Sequence, residues 1–215
     1  MEKENTTKIK ESILLNIIFI LELYALPVQF YLLLNGSEFT FLSATVRFFS
    51  FFTTLTNSLV FLCVTMLLFG AKSKAISFFS KCTTITAITV YILIVGIVFN
   101  VLLRSVAHLE GQHRIVSEIF HSVVPVLFFI YWLLFVNPEK IAFKVILLWL
   151  IYPISYMIYT LGHGILTNFY PYPFVDVAKI GFEKAIINGF FVLLAFVILS
   201  FILIFISNKR SKSGK

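Results

Sequence analysis

The sequence predicts an all-α membrane protein with six transmembrane helices and both termini in the cytoplasm. Three observations support this fold class: the composition, the length of six apolar segments, and the distribution of lysine and arginine. Of the 215 residues, 60% are hydrophobic, 17% are aromatic and only 13% are charged. A soluble domain has fewer apolar residues and about twice that charged share. We therefore expect one membrane domain over residues 1–215.

Six segments reach the roughly 20 apolar residues that a helix needs to cross a bilayer. In chain order they lie near residues 12–34, 46–69, 83–103, 116–136, 142–161 and 184–207. Continuous apolar runs indicate helices rather than the alternating strands of an outer-membrane barrel. The first segment is too long for a signal-peptide core and lacks a cleavage motif, so we expect it to be retained.

Basic residues predict the orientation of the helices. Twelve of the seventeen lysines and arginines fall on one side if the six segments alternate in direction: Lys3, Lys8, Lys10, Lys72, Lys74, Lys81, Lys140, Lys144, Lys209, Arg210, Lys212 and Lys215. This bias predicts that the richer side is cytoplasmic, in a multi-pass protein of the plasma membrane. The net charge of +7 follows from the same bias and suits anionic lipid headgroups, so no nucleic-acid partner is predicted.

The second segment contains a polar series within "RFFSFFTTLTN". Its members recur at steps of three and four, on one face of a continuous helix, with Thr53 at the margin: Arg47, Ser50, Thr54 and Asn57. One interpretation is structural, with hydroxyls bonded inside their own helix and Asn57 joining two helices. The other is a polar site inside the membrane, where such groups are costly without a function.

The fourth segment contains "HSVVP", with Trp132 on the same face as His121 and Pro125. Pro125 cannot donate to the carbonyl of His121, so a kink is expected beside the imidazole. The histidine is then either a packing group or a base, whose ring Glu118 would orient from the preceding turn.

Ser50 in the second segment and His121 in the fourth are expected at a similar depth in the membrane. Ser50 and His121 each lie about 6–7 Å inside the outer surface, at 1.5 Å per residue. Lipid ester bonds lie near that depth. The sequence thus predicts a site where Ser50 and His121 meet, provided that the two helices face each other, with Thr53 and Thr54 as alternative hydroxyl groups.

Other polar residues have subsidiary interpretations. The four histidines match no metal-binding spacing, and neither a metal nor a cofactor is predicted. Glu22, near the middle of the first helix, is expected to be neutral or paired.

The aromatic connection "YPYPF" is expected to cap the outer mouth, with Tyr170 and Tyr172 at the interface. Asp176 would pair with Lys179, Arg104 or His163.

These elements together resemble a known family. "RFFSFFTTLTN", "HSVVP" with Trp132 downstream, and "YPYPFVDV" are similar to motifs of six-helix membrane proteins, the bacterial relatives of the androgen-induced-gene and androgen-dependent TFPI-regulating proteins. The resemblance covers nearly the whole chain. Animal members hydrolyse fatty acid esters of hydroxy fatty acids within the membrane, using a threonine and a histidine.

The resemblance implies roles for individual residues. His121 matches the family's histidine without a gap. Ser50 falls where the family has its threonine, and this departure keeps the hydroxyl but loses a methyl group. A shift of one turn would make Thr53 or Thr54 the nucleophile. Apart from the resemblance, the general chemistry of a hydroxyl nucleophile suggests that the oxyanion would be held by Arg47, Asn57, Asn100 or backbone near Pro125.

Besides a metal-dependent hydrolase, which would need at least two more ligands near His121, two functions remain open at the level of sequence. The first is a lipid-ester hydrolase, with a lipid substrate and the bilayer as partners. The second is a non-catalytic protein that binds a lipid or carries a solute. A transport path needs polar groups through the full thickness, whereas a hydrolase needs them at one depth. The apolar inner halves of the third, fourth and sixth segments favour the hydrolase.

Overall fold

Six stretches of helix in the computed structural model are long and apolar enough to cross a membrane, so this is a multi-pass membrane protein. They are Asn5–Asn35, Phe52–Phe69, Cys82–Leu103, Gly111–Phe135, Phe143–Thr167 and Phe182–Lys212. The structure describes residues 2–36, 39–70 and 74–213, and these include no strand. The predicted all-α class and the six spans are confirmed.

The sidedness of the spans stays a prediction. Among the basic residues used for it, Lys72, Lys215 and the side chain of Lys3 lie outside the described residues.

The chain forms two compact units, residues 1–139 and 140–215. The first contains α1 Glu2–Asn35, α2 Phe41–Phe49, α3 Phe52–Phe69, α4 Lys74–Phe79, α5 Cys82–Val98, α6 Gly111–Glu118 and α7 Val124–Phe135. Two π-helical turns extend these helices: Phe99–Leu103 follows α5, and Ile119–Val123 joins α6 to α7.

Four long helices of the first unit pack in a ring, in which α1 contacts α3 and α7, and α5 contacts the same two helices. Stacked rings of Phe19 and Phe61, with centroids 5.3 Å apart, join α1 to α3. The indole nitrogen of Trp132 donates to the Thr86 hydroxyl at 2.8 Å and joins α7 to α5. Apolar side chains make up most of the remaining interior, among them Ile18, Val60, Ile92 and Phe128.

The second predicted span is interrupted where the sequence predicts one continuous helix over residues 46–69. α2 ends at Phe49, Phe51 is extended with φ −88° and ψ 130°, and α3 begins at Phe52. The Thr54 hydroxyl donates to the carbonyls of Phe48 and Phe51. Hydroxyl groups that satisfy freed carbonyls make a helix break tolerable at membrane depth. The continuous helix was therefore a wrong prediction.

The predicted irregularity near Pro125 is a π-helical turn over Ile119–Val123. Such turns insert one residue into a helix and are frequent at functional sites. The carbonyl of His121, which Pro125 leaves without its usual donor, accepts a hydrogen bond from Asn100 Nδ2 at 2.9 Å. The adjacent π-helical turn of α5 supplies this asparagine, so the two irregular turns meet.

The second unit consists of the last two spans and their connection. Its helices are α8 Ile146–Trp149, α9 Ile151–Thr167, α10 Val177–Ile180 and α11 Phe182–Ser213, with 3₁₀ turns at Phe143–Val145 and Pro173–Val175. The amide of Asn188 on α11 donates to the Phe174 carbonyl at 2.8 Å and fastens the connection to that helix. Asn208 pairs with both the N–H and the carbonyl of Ile141, at 2.7 and 3.0 Å.

Candidate functional site

The structure brings the hydroxyl of Thr53 to the imidazole of His121. Thr53 Oγ1 lies 3.3 Å from His121 Nε2, across the ring of helices from α3 to the π-helical turn before α7. Thr53 is buried and His121 is half-buried. Of the three hydroxyl groups considered from the sequence, it is Thr53 that lies within hydrogen-bonding distance of this ring nitrogen.

The other ring nitrogen fixes the tautomer of His121. Nδ1 lies 2.8 Å from the Ser117 carbonyl and 3.1 Å from the Ser117 hydroxyl. A carbonyl only accepts hydrogen bonds, so Nδ1 must carry the proton. A neutral ring protonated at Nδ1 has its lone pair at Nε2, where it can accept a hydrogen bond from the Thr53 hydroxyl. A base and the hydroxyl group that it activates are arranged in this way.

Neighbouring groups hold the imidazole in place. The Phe99 ring stacks on it, with centroids 3.8 Å apart and planes 15° from parallel. Asn100 Nδ2 binds both the Gly96 carbonyl at 2.8 Å and the His121 carbonyl. A Cβ atom at Gly96 would lie 3.0 Å from the His121 oxygen and 3.2 Å from Pro125 Cβ. The absence of a side chain at Gly96 thus lets α5 approach the histidine closely.

An ion-pair network borders this arrangement. The Arg104 guanidinium donates to both carboxylate oxygens of Glu118, at 2.7 and 2.8 Å, and to Ser122 at 3.0 Å. Its Nε donates to Asn100 Oδ1 at 2.7 Å. The hydrogen bond with Glu118 raises the pKa of Arg104 above its usual value. Glu118 therefore binds Arg104, and the expectation that it orients His121 is wrong. The Ser117 carbonyl, which lies 2.8 Å from Nδ1, orients the ring instead.

The other two candidate hydroxyl groups bind backbone carbonyls. Ser50 is buried and donates to the Val46 carbonyl at 2.7 Å, as a serine does when it bonds one turn back. Thr54 binds carbonyls at the helix break. The favoured nucleophile from sequence, Ser50, is thus engaged in its own helix.

Asn57 and Arg47 occupy different positions in the first unit. Asn57 is fully buried on α3, and its Nδ2 donates to the Thr53 carbonyl at 2.8 Å. Arg47 is half-buried on α2, with its guanidinium carbon 5.0 Å from the centre of the Phe39 ring. Partial burial lowers the pKa of Arg47 from its usual value.

Trp132 has a structural position. It lies eleven residues beyond His121, or about 16 Å along a helix axis, so the shared face does not place it beside the imidazole. Its side chain is 1% exposed, and its N–H binds Thr86. Trp132 thus joins α7 to α5 in this structure, and a role for it in the polar site stays a prediction.

The remaining candidates belong to the second unit. The Tyr170 ring packs where Gly164 has no side chain, and the Tyr172 ring stacks on Phe174 with centroids 5.3 Å apart. Asp176 pairs with Lys179 at 3.3 Å, one of its three predicted partners. Its side chain also accepts from the Lys179 N–H and caps α10.

Sequence reasoning missed Ser117, Phe99 and Gly96. Ser117 had a usable signal, because it precedes His121 by four residues and so lies over the same helical face. Phe99 and Gly96 had none, since their role depends on how α5 packs. Within the described ranges, no three His, Cys, Asp or Glu side chains lie close enough to hold a metal ion.

No protein-family model, curated protein sequence or solved structure matches this chain. Its chemistry must therefore be inferred from the contacts of Thr53 and His121.

Proposed function

We propose that this protein is an intramembrane hydrolase of lipid carboxylic esters, with Thr53 as nucleophile and His121 as general base. One observation carries the proposal: Thr53 Oγ1 lies 3.3 Å from Nε2 of a ring whose Nδ1 lies 2.8 Å from the Ser117 carbonyl. A hydroxyl group is a weak nucleophile until a positioned base accepts its proton. In this proposal, His121 is that base.

The reaction has two halves. In the first, Nε2 takes the Thr53 proton while Oγ1 bonds to the ester carbon, and the carbonyl electron pair moves to oxygen. The tetrahedral intermediate collapses, and the alcohol leaves with the proton from His121. In the second half, Nε2 accepts a proton from water, which attacks the acyl-threonine. The fatty acid leaves, and the proton returns to Thr53.

The helix break contributes to this chemistry. Because α3 begins at Phe52, Thr53 lies in its first turn. The positive end of the helix dipole lies at a first turn. It stabilises negative charge that develops on Oγ1 in the transition state. A continuous helix through Ser50 would not place Thr53 at such an end.

The substrate class follows from the setting and from the family resemblance. The site lies within spans that contact lipid, and the resemblance of "HSVVP" favours fatty acid esters of hydroxy fatty acids. With the cytoplasmic side rich in lysine, the site lies towards the outer leaflet of the plasma membrane. Asn100 is not an oxyanion donor in this proposal, because its amide already donates to the Gly96 and His121 carbonyls. The backbone near Pro125 is not one either, because the group that proline leaves unpaired is a carbonyl, which accepts hydrogen bonds.

The test is hydrolysis by the purified full-length chain in lipid vesicles. We expect release of free fatty acid from a fatty acid ester of a hydroxy fatty acid, measured by mass spectrometry. Thr53→Ser should retain activity, and Thr53→Ala should lose it. Thr65→Ala is the matched control, because Thr65 lies on the same helix and its hydroxyl donates to the Phe61 carbonyl one turn earlier, at 2.7 Å. Activity that survives in Thr53→Ala, or is absent from the folded wild type, contradicts the proposal.

A further inference from the structure

Two fully buried side chains of the first unit have oxygen atoms without a hydrogen-bond donor. Both carboxylate oxygens of Glu22 and the Oδ1 atom of Asn57 lack a partner among the described residues. Each side chain is 0% exposed. Asn57 Nδ2 binds the Thr53 carbonyl, an acceptor, so the amide cannot be turned round and Oδ1 must point elsewhere. Three acceptors are therefore buried in the core of the first unit.

The packing of α1 on α3 brings Glu22 and Asn57 to a similar level. The Phe19 and Phe61 rings stack directly across the interface. Glu22 follows Phe19 by three residues, and Asn57 precedes Phe61 by four. Because the helices are antiparallel, both steps run in the same direction, about 4.5 and 6 Å along the axis. Residues three and four apart also share a helical face, so Glu22 and Asn57 both lie at the interface marked by the two rings.

No side chain in this core provides the missing hydrogen. Among the described residues, no lysine or arginine is buried. The imidazole of His121 has Nδ1 at the Ser117 carbonyl and Nε2 at the Thr53 hydroxyl. An ionised carboxylate without a donor in such surroundings is among the costliest of buried groups.

We propose that Glu22 is a protonated carboxylic acid whose O–H donates to Asn57 Oδ1, and that it is a positioning residue for Thr53. One hydrogen then satisfies two of the three oxygen atoms. It also fixes the Asn57 amide, with Oδ1 on Glu22 and Nδ2 on the Thr53 carbonyl one turn away. The nucleophile is thereby tied to α1 as well as to α3. The role as a positioning residue rests on the proposed function, whereas the proton itself does not.

Infrared spectroscopy of the full-length protein in lipid tests the proton. A protonated carboxyl group has a carbonyl band that an ionised one lacks. We expect this band in the difference between wild type and Glu22→Gln, with a shift when Asn57→Leu removes the acceptor. Glu118→Gln is the matched control and should give no such band, because Glu118 pairs with Arg104. A Glu22 carboxylate without the band, as a bound cation would produce, overturns the proposal whether or not the protein hydrolyses esters.

Two substitutions test the positioning role. Glu22→Gln keeps a donor for Asn57 Oδ1 and should retain kcat, while Glu22→Leu removes it and should lower kcat roughly ten- to hundredfold with little change in KM. Thermal unfolding should show both variants folded. Rescue by glutamine separates a hydrogen-bond role from one that needs a negative charge. A Glu22→Gln variant as impaired as Glu22→Leu, or a Glu22→Leu variant with wild-type kcat, overturns the positioning role.

Discussion

Asn100 donates its side-chain amide to the carbonyl of His121, at 2.9 Å. Pro125 cannot supply the backbone donor that this carbonyl would otherwise have, and the neighbouring helix supplies one instead. The proline, the asparagine and the histidine therefore form one structural unit, in which α5 determines where the imidazole lies.

Removing the Asn100 amide should destabilise the first unit. Asn100→Ala leaves the Gly96 and His121 carbonyls without this donor, at a cost of about 1–3 kcal/mol. In a Pro125→Ala background a backbone N–H is restored, and the same change should cost less. Thermal unfolding of the two single variants and the double variant measures this coupling.

The control for this prediction is Asn16→Ala. Asn16 donates to the Ser12 carbonyl one turn earlier at 2.7 Å, within its own helix. Its loss should change the unfolding temperature little. Equal costs of Asn100→Ala in the two backgrounds would show that the proline and the asparagine act independently.

A methyl group at Gly96 should separate α5 from the histidine. The Cβ atom of Gly96→Ala would lie 3.0 Å from the His121 oxygen, so backbone must shift, at a cost of about 1–3 kcal/mol. Gly162→Ala is the matched control, because nothing lies within 4 Å of its Cβ position inside α9. That change should be neutral or stabilise the helix by up to about 1 kcal/mol. The unfolding temperatures of the two variants test this prediction. A Gly96→Ala variant as stable as the wild type would contradict the close approach of α5 to His121.

Removing only the Thr53 hydroxyl should abolish catalysis without unfolding the protein. Thr53→Val keeps the branched shape and should reduce kcat by on the order of 10³-fold or more. Ser50→Ala should retain activity, because its hydroxyl group donates to the Val46 carbonyl one turn earlier. Ester hydrolysis by each purified variant provides the comparison. If Ser50→Ala lost activity and Thr53→Val kept it, Ser50 rather than Thr53 would be the nucleophile.

Both termini should lie in the cytoplasm. An even number of spans puts them on one side, and the lysine-rich ends favour the inner face. Alkaline phosphatase fused to either terminus should be inactive, and green fluorescent protein fused there should be fluorescent. The opposite result at both ends would show that the spans have the reverse orientation, with Thr53 towards the inner leaflet.

The six spans could be predicted because apolar length alone determines them. The route of the chain near Ser50 could not, since a serine or threonine can bond a carbonyl in a continuous helix or at a break. The series Arg47, Ser50, Thr54 and Asn57 assumed an unbroken helix. One extended residue, Phe51, changes the phase, and Thr53 rather than Ser50 lies beside Nε2.

The surroundings of His121 show a second limit. The consequence of Pro125 for the carbonyl of His121 follows from covalent structure and was predictable. The donor that satisfies it, Asn100, lies twenty-one residues earlier on another helix and depends on packing. Glu118 looked suited to orient the ring, but Arg104 lies close enough to bind it with two hydrogen bonds.

The most direct measurement is the site of attack by a fluorophosphonate probe that carries an alkyl chain. An activated hydroxyl displaces fluoride and forms a phosphonate ester, which peptide mass spectrometry locates. We predict a single adduct on Thr53 in the wild type and none in a folded His121→Ala variant. An adduct on another residue, or undiminished labelling without the imidazole, would contradict the pairing of Thr53 with His121.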